Sequence, residues 1–233
     1  MLRPYPPSPA LLTRAVVHVA NRVAEDSRRS RSWRELPEHA LWRELVTCIL
    51  GSRVSFRVAT ASAQRLAEAE LLTLTPPSWT HGRYERRLRE VLATPPLRHP
   101  HAAERAQYIS RSARAIYGEG LDLRSVLFDC KTPHHARRTL VATAMGIGPK
   151  QASLFLNCTG YTDKLAVFDT HSLTYMQWCG MMQSSTKGVA RLHKYEELEK
   201  RFVAHANELG FSPADLDLAV WVVVRVAKEL HAS

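Results

Sequence analysis

The sequence predicts an all-α protein with two helical lobes around a central cleft. Apolar residues recur at the 3.6-residue spacing of helices through most of the chain, and no strand-like alternation persists. Glycines and prolines mark the turns between these segments. The chain has 233 residues, 45% of them hydrophobic, which is enough to bury a core as one domain or as two small lobes.

In the first half of the chain, the helical pattern is interrupted by "GSRVS" at 51–55 and by two Pro-Pro pairs. Leu41, Leu45 and Ile49 fall on one face of the first predicted helix. The pattern predicts helices over 37–50, 56–72, 83–92 and 101–117, and a short turn or helix over 122–129.

In the second half, two prolines stand where the first turn of a helix tolerates them, Pro133 and Pro149. The run "WVVVRV" continues a pattern that begins at Leu216 and is interpreted as part of a helix. Either Ser212 or Asp215 can cap that helix. The pattern predicts helices over 133–144 and 149–158, from near His171, over 189–209, and to the C-terminus.

The N-terminal segment departs from this pattern. Residues 1–35 begin with the proline-rich stretch "MLRPYPPSPALL", which predicts a partly extended N-terminal extension before a folded domain over 36–233. The stretch does not resemble a signal peptide, and no apolar run approaches the roughly 20 residues of a membrane span. We therefore expect a cytoplasmic protein with no membrane partner.

Charge and cysteine usage narrow the function further. Lysines and arginines exceed acidic residues by a formal charge of +10, which favours a polyanionic partner, above all nucleic acid. The four cysteines stand singly, without CxxC or zinc-finger spacing. We therefore expect no metal site, no iron–sulfur cluster and no required cofactor. No apolar helix face is left over for self-association, so we expect a monomer.

The stretch "MGIGPK" forms the turn of a predicted helix-hairpin-helix over 133–158. Gly146 and Gly148 can adopt positive φ and leave room for a close surface. Because the second helix begins at Pro149, its first N–H groups point toward the hairpin and suit a phosphate. Gly146, Ile147 and Gly148 are therefore candidate DNA-phosphate contacts, which position the protein without reading a base.

Two side chains next to this turn can carry chemistry. A lysine amine in its neutral form is a nucleophile that forms Schiff bases, and Lys150 opens the helix after the hairpin. Asp169 follows four mostly apolar residues in "LAVFDTHSL" and can cap the helix that begins there. Each residue also has a purely structural interpretation, Lys150 as a solvated surface lysine and Asp169 as a helix cap alone, but together they offer an amine and a carboxylate as candidate catalytic groups.

The segment "LVATAMGIGPKQASLFL" followed by "VFDTH" resembles the helix-hairpin-helix (HhH-GPD) DNA glycosylase superfamily. Its bifunctional glycosylase/lyases carry a lysine after the glycine pair and an aspartate in a D-x-H setting, which Lys150, Asp169 and His171 match. Residues 41–66, 104–117 and 209–223 are similar to the archaeal-type 8-oxoguanine DNA glycosylase/AP lyase branch. The resemblance covers roughly residues 40–230.

This resemblance implies a double-stranded DNA substrate with a modified base, and a nucleoid-associated enzyme of base-excision repair. Lys150 would attack C1′ of the target nucleoside, expel the base and form a Schiff base, and elimination would then nick the strand. Asp169 would stabilise the positive charge that develops on the sugar or help to activate the nucleophile. The resemblance thus implies that Lys150 and Asp169 are the catalytic pair and converge beside the sugar of an extruded nucleotide. The hairpin carbonyls are also expected to hold a structural monovalent cation.

The target must leave the base stack, so a side chain has to fill the gap. The resemblance assigns this wedge to the turn at 52–56, where Arg53 or Phe56 could serve. Trp221 can stack on the flipped base or belong to the core. The remaining candidates for contacts in the base pocket are His171, Asp217 and Lys228.

Three alternatives stay open at this stage. The turn "GSRVS" departs from the 8-oxoguanine branch, which commonly carries an asparagine there, so a modified pyrimidine or a bulky base of foreign DNA is an alternative substrate. A monofunctional glycosylase would use Asp169 to activate water, with Lys150 as a phosphate contact. A non-catalytic hairpin module would bind only the DNA backbone.

Overall fold

The computed structural model describes residues 8–27, 32–73, 81–118, 120–182 and 189–232. All regular secondary structure in these ranges is helical, which confirms the predicted all-α class. The helices are α1 (Pro9–Ser27), α2 (Glu38–Leu50), α3 (Phe56–Glu68), α4 (His81–Ala93), α5 (Ala102–Tyr117), α6 (Leu123–Phe128), α7 (Pro133–Thr143), α8 (Pro149–Cys158), α9 (Thr170–Trp178), α10 (Leu192–Glu208) and α11 (Pro213–Ala232). The chain forms two compact units: unit 1 contains residues 1–30 and 162–233, and unit 2 contains residues 31–161.

Unit 2 is organised around α2. This helix packs against α3, α5, α6 and α8, while α4 packs against α3 and α5. Trp42, Leu45 and Ile49 are among its fully buried side chains. Burial of large apolar side chains of this kind contributes roughly 1.5–3 kcal/mol each to folding, so α2 is a firm support for α8, the second helix of the hairpin.

The helix-hairpin-helix lies within unit 2 and matches its predicted boundaries. The Thr132 hydroxyl caps α7 by accepting from the N–H of His135 at 3.1 Å, and Pro133 occupies the first turn. Pro149 likewise occupies the first turn of α8, and Gly148 is in the N-cap position. Between the two helices, the buried Arg137 guanidinium donates to the Ser153 hydroxyl at 3.2 Å. These contacts fix the two helices that flank the hairpin turn.

Unit 1 combines both ends of the chain. Helix α11 packs against α1, α9 and α10. Their shared core includes the aromatic side chains of Phe168, Tyr175, Tyr195 and Phe202. The buried segment 165–168 runs through this core and leads into α9, so the start of α9 is held from several sides.

The N-terminal segment differs from its prediction. Residues 9–27 are helical, where the sequence analysis expects a partly extended segment, and this helix belongs to unit 1 rather than preceding a domain at 36. Leu12, Val16 and Ala20 recur every four residues and are buried in the core of unit 1. The Ser8 hydroxyl accepts from the N–H of Leu11 at 3.3 Å, and Pro9 occupies a position that proline tolerates. The rest of the predicted extension, residues 1–7 and 28–31, lies outside the described residues.

Candidate active site

The hairpin turn is packed tightly against α5. Gly146 has φ +80°, and a Cβ atom added there would lie 2.3 Å from Cδ2 of Tyr108. The Ser112 hydroxyl donates to the carbonyl of Met145 at 3.3 Å. Both the backbone conformation and the neighbouring ring therefore require glycine at 146.

The three predicted phosphate contacts differ in what they offer. The Ile147 side chain is buried and its N–H donates to the carbonyl of Ala144 at 3.3 Å, so this amide is already engaged. By contrast, the N–H groups of Gly148, Lys150 and Gln151 find no acceptor within the described part of the chain. These donors at the start of α8 form the part of the hairpin that suits an anion.

Gly148 lies in an open environment. Its φ is −96°, which any residue adopts, and an added Cβ would meet only Oε1 of Gln151, at 3.7 Å. The protein itself therefore does not require glycine at this position. The missing side chain leaves the N-terminus of α8 accessible to a close external surface.

Lys150 is half-buried in the first turn of α8, which packs on α2. Burial raises the pKa of the Cys48 thiol well above its ordinary value, Glu44 and Cys158 raise it further, and the Lys150 ammonium acts in the opposite direction. The lysine therefore lies near the α2–α8 contact, within electrostatic reach of a buried thiol. The predicted nucleophile is therefore partly withdrawn from solvent.

Asp169 occupies the N-cap of α9, as predicted. Its Oδ1 accepts from the N–H of His171 at 2.7 Å and from the N–H of Ser172 at 2.9 Å. The Ser172 hydroxyl lies 3.2 Å from the same oxygen. Because these contacts all use Oδ1, the carboxylate is held in one orientation while Oδ2 stays available for a further contact.

Three predicted pocket residues surround the start of α9. The His171 ring meets Trp221 edge-on, with centroids 6.1 Å apart. The Arg225 guanidinium lies 5.2 Å from the centroid of the Trp221 ring. Lys228 donates from Nζ to the Thr174 hydroxyl at 2.9 Å. Half-buried Trp221 is thus neither a core residue nor a free surface residue.

Burial and charge act together on these groups. Burial lowers the pKa of His171 below its ordinary value, Asp169 opposes this, and Lys228 and Arg225 lower it further. Burial also lowers the pKa of Lys228, again opposed by Asp169. The Nδ1 atom of His171 is buried and has no hydrogen-bond partner in the described part of the protein. A cationic, partly desolvated surface therefore adjoins Asp169.

Asp217, which is predicted to contact the base, is hydrogen-bonded to a side chain of α9. The Ser172 hydroxyl donates to Oδ1 of Asp217 at 2.6 Å, so a single serine contacts both Asp169 and Asp217. Asp217 is therefore placed to orient Ser172 next to the catalytic candidate. A direct contact between Asp217 and a base stays a prediction.

The predicted wedge turn presents two exposed side chains. Arg53 has φ +64°, a conformation that costs an L-residue about 1 kcal/mol or more. Phe56, the first residue of α3, is 73% exposed. Strained backbone conformations cluster at functional sites, and the wedge role of Arg53 or Phe56 stays a prediction.

Sequence reasoning did not identify the residues of α5 that join the turn to the hairpin. The Glu104 carboxylate accepts from the Tyr108 hydroxyl at 3.0 Å and lies 3.7 Å from the Arg53 guanidinium. The buried Arg105 guanidinium donates to the Ser52 carbonyl at 3.1 Å. A charged residue on the buried face of "ERAQYISRSARAIY" was the only sequence signal that pointed to them.

The candidate residues therefore form two groups. The hairpin, Lys150 and the wedge turn belong to unit 2, whereas the Asp169 group belongs to unit 1. The structure brings together Asp169, His171, Asp217, Trp221 and Lys228 around the contact of α9 with α11. Convergence of Lys150 with Asp169 stays a prediction.

The described ranges contain neither a metal-binding cluster nor a membrane-spanning helix. No cluster of three or more histidine, cysteine or acidic side chains there could hold a metal ion. No helix there has the length and apolar character needed to cross a membrane.

Comparison with known proteins places the chain in a family. A family model for 8-oxoguanine DNA glycosylase (Ogg-HhH) matches residues 21–211. The 8-oxoguanine DNA glycosylase/AP lyase of Metallosphaera sedula is 31% identical over 201 residues, 86% of this chain and 89% of the relative. The relative from Thermotoga maritima is 39% identical over 93 residues, an alignment that spans 40% of this chain and only 44% of the relative.

Solved structures share the fold. The 8-oxoguanine DNA glycosylase of Thermotoga maritima has a TM-score of 0.74 at 26% identity, covering 93% of this chain and 95% of that one. The 8-oxoguanine glycosylase/lyase of Methanocaldococcus jannaschii, solved with a 15mer DNA containing 8-oxoguanine, has a TM-score of 0.75 at 23% identity and covers 91% of this chain. With the helix-hairpin-helix and the Lys150 and Asp169 motifs, these matches establish that the chain belongs to the 8-oxoguanine DNA glycosylase family.

Proposed function

We propose that this protein is a DNA glycosylase with AP lyase activity that excises 8-oxoguanine from double-stranded DNA. The observation that carries the proposal is Lys150 in the first turn of α8, beside backbone N–H groups that have no acceptor within the described residues. One structural element thus offers both an anion site and a nucleophilic amine. Membership of the 8-oxoguanine DNA glycosylase family supports the choice of base.

In the proposed reaction, the hairpin docks on a phosphate and the target nucleotide leaves the stack. The neutral Nζ of Lys150 attacks C1′, and the bond from C1′ to the base breaks with its electron pair leaving on the base. The amine loses a proton, which neutralises the departing base. The Asp169 carboxylate stabilises the positive charge on the sugar while the glycosidic bond breaks.

The lyase step follows from the same intermediate. The ring oxygen O4′ then takes up a proton from solvent and its bond to C1′ breaks, which gives a protonated Schiff base between C1′ and Nζ and acidifies the hydrogens at C2′. Removal of one such proton forms a double bond and expels the 3′ phosphate, so the strand is nicked. Hydrolysis of the Schiff base then restores the Lys150 amine.

The remaining candidates have proposed roles in holding the substrate. Phe56 is exposed and aromatic, so it suits the gap left in the stack, and Arg53 suits a phosphate next to it. Trp221 offers an aromatic face to the flipped base, beside His171 and Lys228. A monovalent cation at the hairpin also stays a prediction. The carbonyls of Met145 and Gly148 each accept one hydrogen bond, from the Ser112 hydroxyl and the Ala152 N–H, and each keeps a second lone pair.

Borohydride trapping tests this function. The native protein is incubated with duplexes that each carry one modified base, 8-oxoguanine among them, and released base and covalent adduct are both measured. We expect release of 8-oxoguanine and a trapped adduct that is lost in Lys150→Ala. The control is Lys200→Ala, which removes an exposed lysine of α10.

Each other outcome contradicts a defined part of the proposal. Base release without a trapped adduct would indicate a monofunctional enzyme. Release of a different base would assign another substrate to the same chemistry. Binding without release from every duplex would indicate a module that only docks on the DNA backbone.

A further inference from the structure

The segment that leads into Asp169 is extended and buried but is not part of any sheet. Residues 165–168 are all buried, yet their backbone N–H and C=O groups cannot pair within a helix. A buried backbone group without a partner costs free energy comparable to a lost hydrogen bond. The partners of this segment therefore decide how firmly Asp169 is held.

Helix α10 supplies these partners from two side chains. The Tyr195 hydroxyl donates to the carbonyl of Ala166 at 2.8 Å and accepts from the N–H of Phe168 at 3.0 Å. The Glu199 carboxylate accepts from the N–H of Ala166 at 3.0 Å. Tyr195 and Glu199 thus serve this segment as a neighbouring strand would serve it in a sheet.

The same contacts continue toward the catalytic candidate. The Phe168 ring packs on Tyr195 with centroids 4.9 Å apart. One residue further, the N–H of Asp169 donates to the carbonyl of Val167 at 3.0 Å. The Tyr195 hydroxyl forms hydrogen bonds with the peptide groups on both sides of Val167. It therefore fixes the turn from which the Asp169 side chain projects.

We propose that Tyr195 is a positioning residue for Asp169, acting through the backbone of residues 166–168. This proposal rests on the proposed function only for the role of Asp169 in base excision. Tyr195 is fully buried and touches no substrate, so its effect passes through the orientation of the carboxylate. Misplacing a catalytic group by about 1 Å can cost roughly a hundredfold in rate.

The test compares two phenol deletions in one core. Tyr195→Phe removes the hydroxyl that holds the segment and keeps the ring. The control, Tyr175→Phe, removes a hydroxyl from an equally buried tyrosine in the same core, where it lies 2.8 Å from Nε2 of His205 and also bonds Thr13 and Cys179 rather than the segment 165–168. Asp169→Asn provides the reference for loss of the carboxylate.

The first readout does not depend on activity. Under native conditions, hydrogen exchange at the N–H groups of Phe168, His171 and Ser172 should be faster in Tyr195→Phe than in the native protein, because the cap formed by Asp169 loosens. In Tyr175→Phe these three groups should exchange as in the native protein. Unchanged exchange in Tyr195→Phe would overturn the proposal, even if the protein excised no base.

The second readout separates positioning from general damage. In single-turnover excision of 8-oxoguanine, Tyr195→Phe should be slower by roughly tenfold to a hundredfold with unchanged duplex affinity. It should add no further loss to Asp169→Asn. An equal loss in Tyr175→Phe, or a full additional loss on Asp169→Asn, would show that Tyr195 acts only on stability. If the native protein released no 8-oxoguanine while the exchange result held, the proposed function would fail and the structural role of Tyr195 would stand.

Discussion

The Tyr108 ring lies against the α-carbon of Gly146, so closely that a β-carbon on this glycine would come within 2.3 Å of Cδ2. Tyr108 also donates from its hydroxyl to Glu104, whose carboxylate faces Arg53 in the wedge turn. Helix α5 thereby gives the hairpin and the wedge turn a common support within unit 2. Helix α5 thus holds the hairpin turn in place, and the two glycines of the turn differ in their surroundings.

Gly146→Ala should destabilise the fold. Alanine at φ +80° costs about 1–2 kcal/mol from the left-handed conformation alone, and the clash with Tyr108 adds to it. Urea denaturation should show this loss in Gly146→Ala. The double variant Gly146→Ala/Tyr108→Ala should no longer have the clash. Compared with Tyr108→Ala, it should lose only the stability that the left-handed conformation costs. A stable Gly146→Ala protein would contradict the geometry of the turn.

Gly148→Ala should leave stability within about 0.5 kcal/mol of the native value, because its Cβ would enter open space. Its effect should appear in DNA binding, where the methyl group would hold a phosphate away from the N–H groups at the start of α8. Loss of one such charge-assisted hydrogen bond corresponds to roughly a tenfold weaker Kd. Fluorescence anisotropy with a duplex measures this, and native affinity in Gly148→Ala would exclude the hairpin as the phosphate site.

The two wedge candidates should separate by salt dependence. Backbone contacts release counterions, so log K should fall linearly with log salt for the native protein, and Arg53→Ala should lower that slope by about one. Phe56→Ala should keep the slope, because an aromatic wedge carries no charge. It should instead reduce the fluorescence increase of 2-aminopurine placed next to the target base. A change in slope in Phe56→Ala and none in Arg53→Ala would reverse the two roles.

Local patterns predicted much of this site because caps and turns depend on residues close in sequence. Asp169 is assigned to the N-cap of α9 from "VFDTH" alone, and Pro133 and Pro149 indicate where α7 and α8 begin. The prediction of a partly extended segment is wrong at residues 9–27, which are helical. The prolines indicate an extended chain, whereas the spacing of Leu12, Val16 and Ala20 indicates a helix. A proline in the first turn of a helix is no obstacle to it.

Long-range contacts could not be predicted in the same way. The hydroxyl of Tyr195 meets a segment 27 residues earlier in the chain, and Arg105 reaches Ser52 across 53 residues. In the sequence each is an ordinary member of an amphipathic helix. Only the packing of α10 against residues 165–168, and of α5 against the wedge turn, gives these side chains their roles.

His99 should make the stability of unit 2 depend on pH. Its ring is buried, Nδ1 accepts from the N–H of His101 at 3.1 Å, and Nε2 lies 3.0 Å from the carbonyl of Leu50. A backbone N–H can only donate, so the proton of the neutral ring must sit on Nε2 and point at the Leu50 carbonyl. A second proton would set Nδ1–H against the N–H of His101.

Burial lowers the pKa of His99, the hydrogen bond to Leu50 opposes this, and Arg105 lowers it further. Because the folded-state pKa lies below the unfolded value of about 6.5, the unfolded chain binds more protons between the two, and stability falls as pH falls through this window. The difference in unfolding free energy between native protein and His99→Gln should therefore shrink as the pH is lowered from about 7.5 to about 5. His193→Gln, on an exposed face of α10, is the control. A difference that stays constant would mean that His99 accommodates its second proton in the fold, which the geometry at Nδ1 opposes.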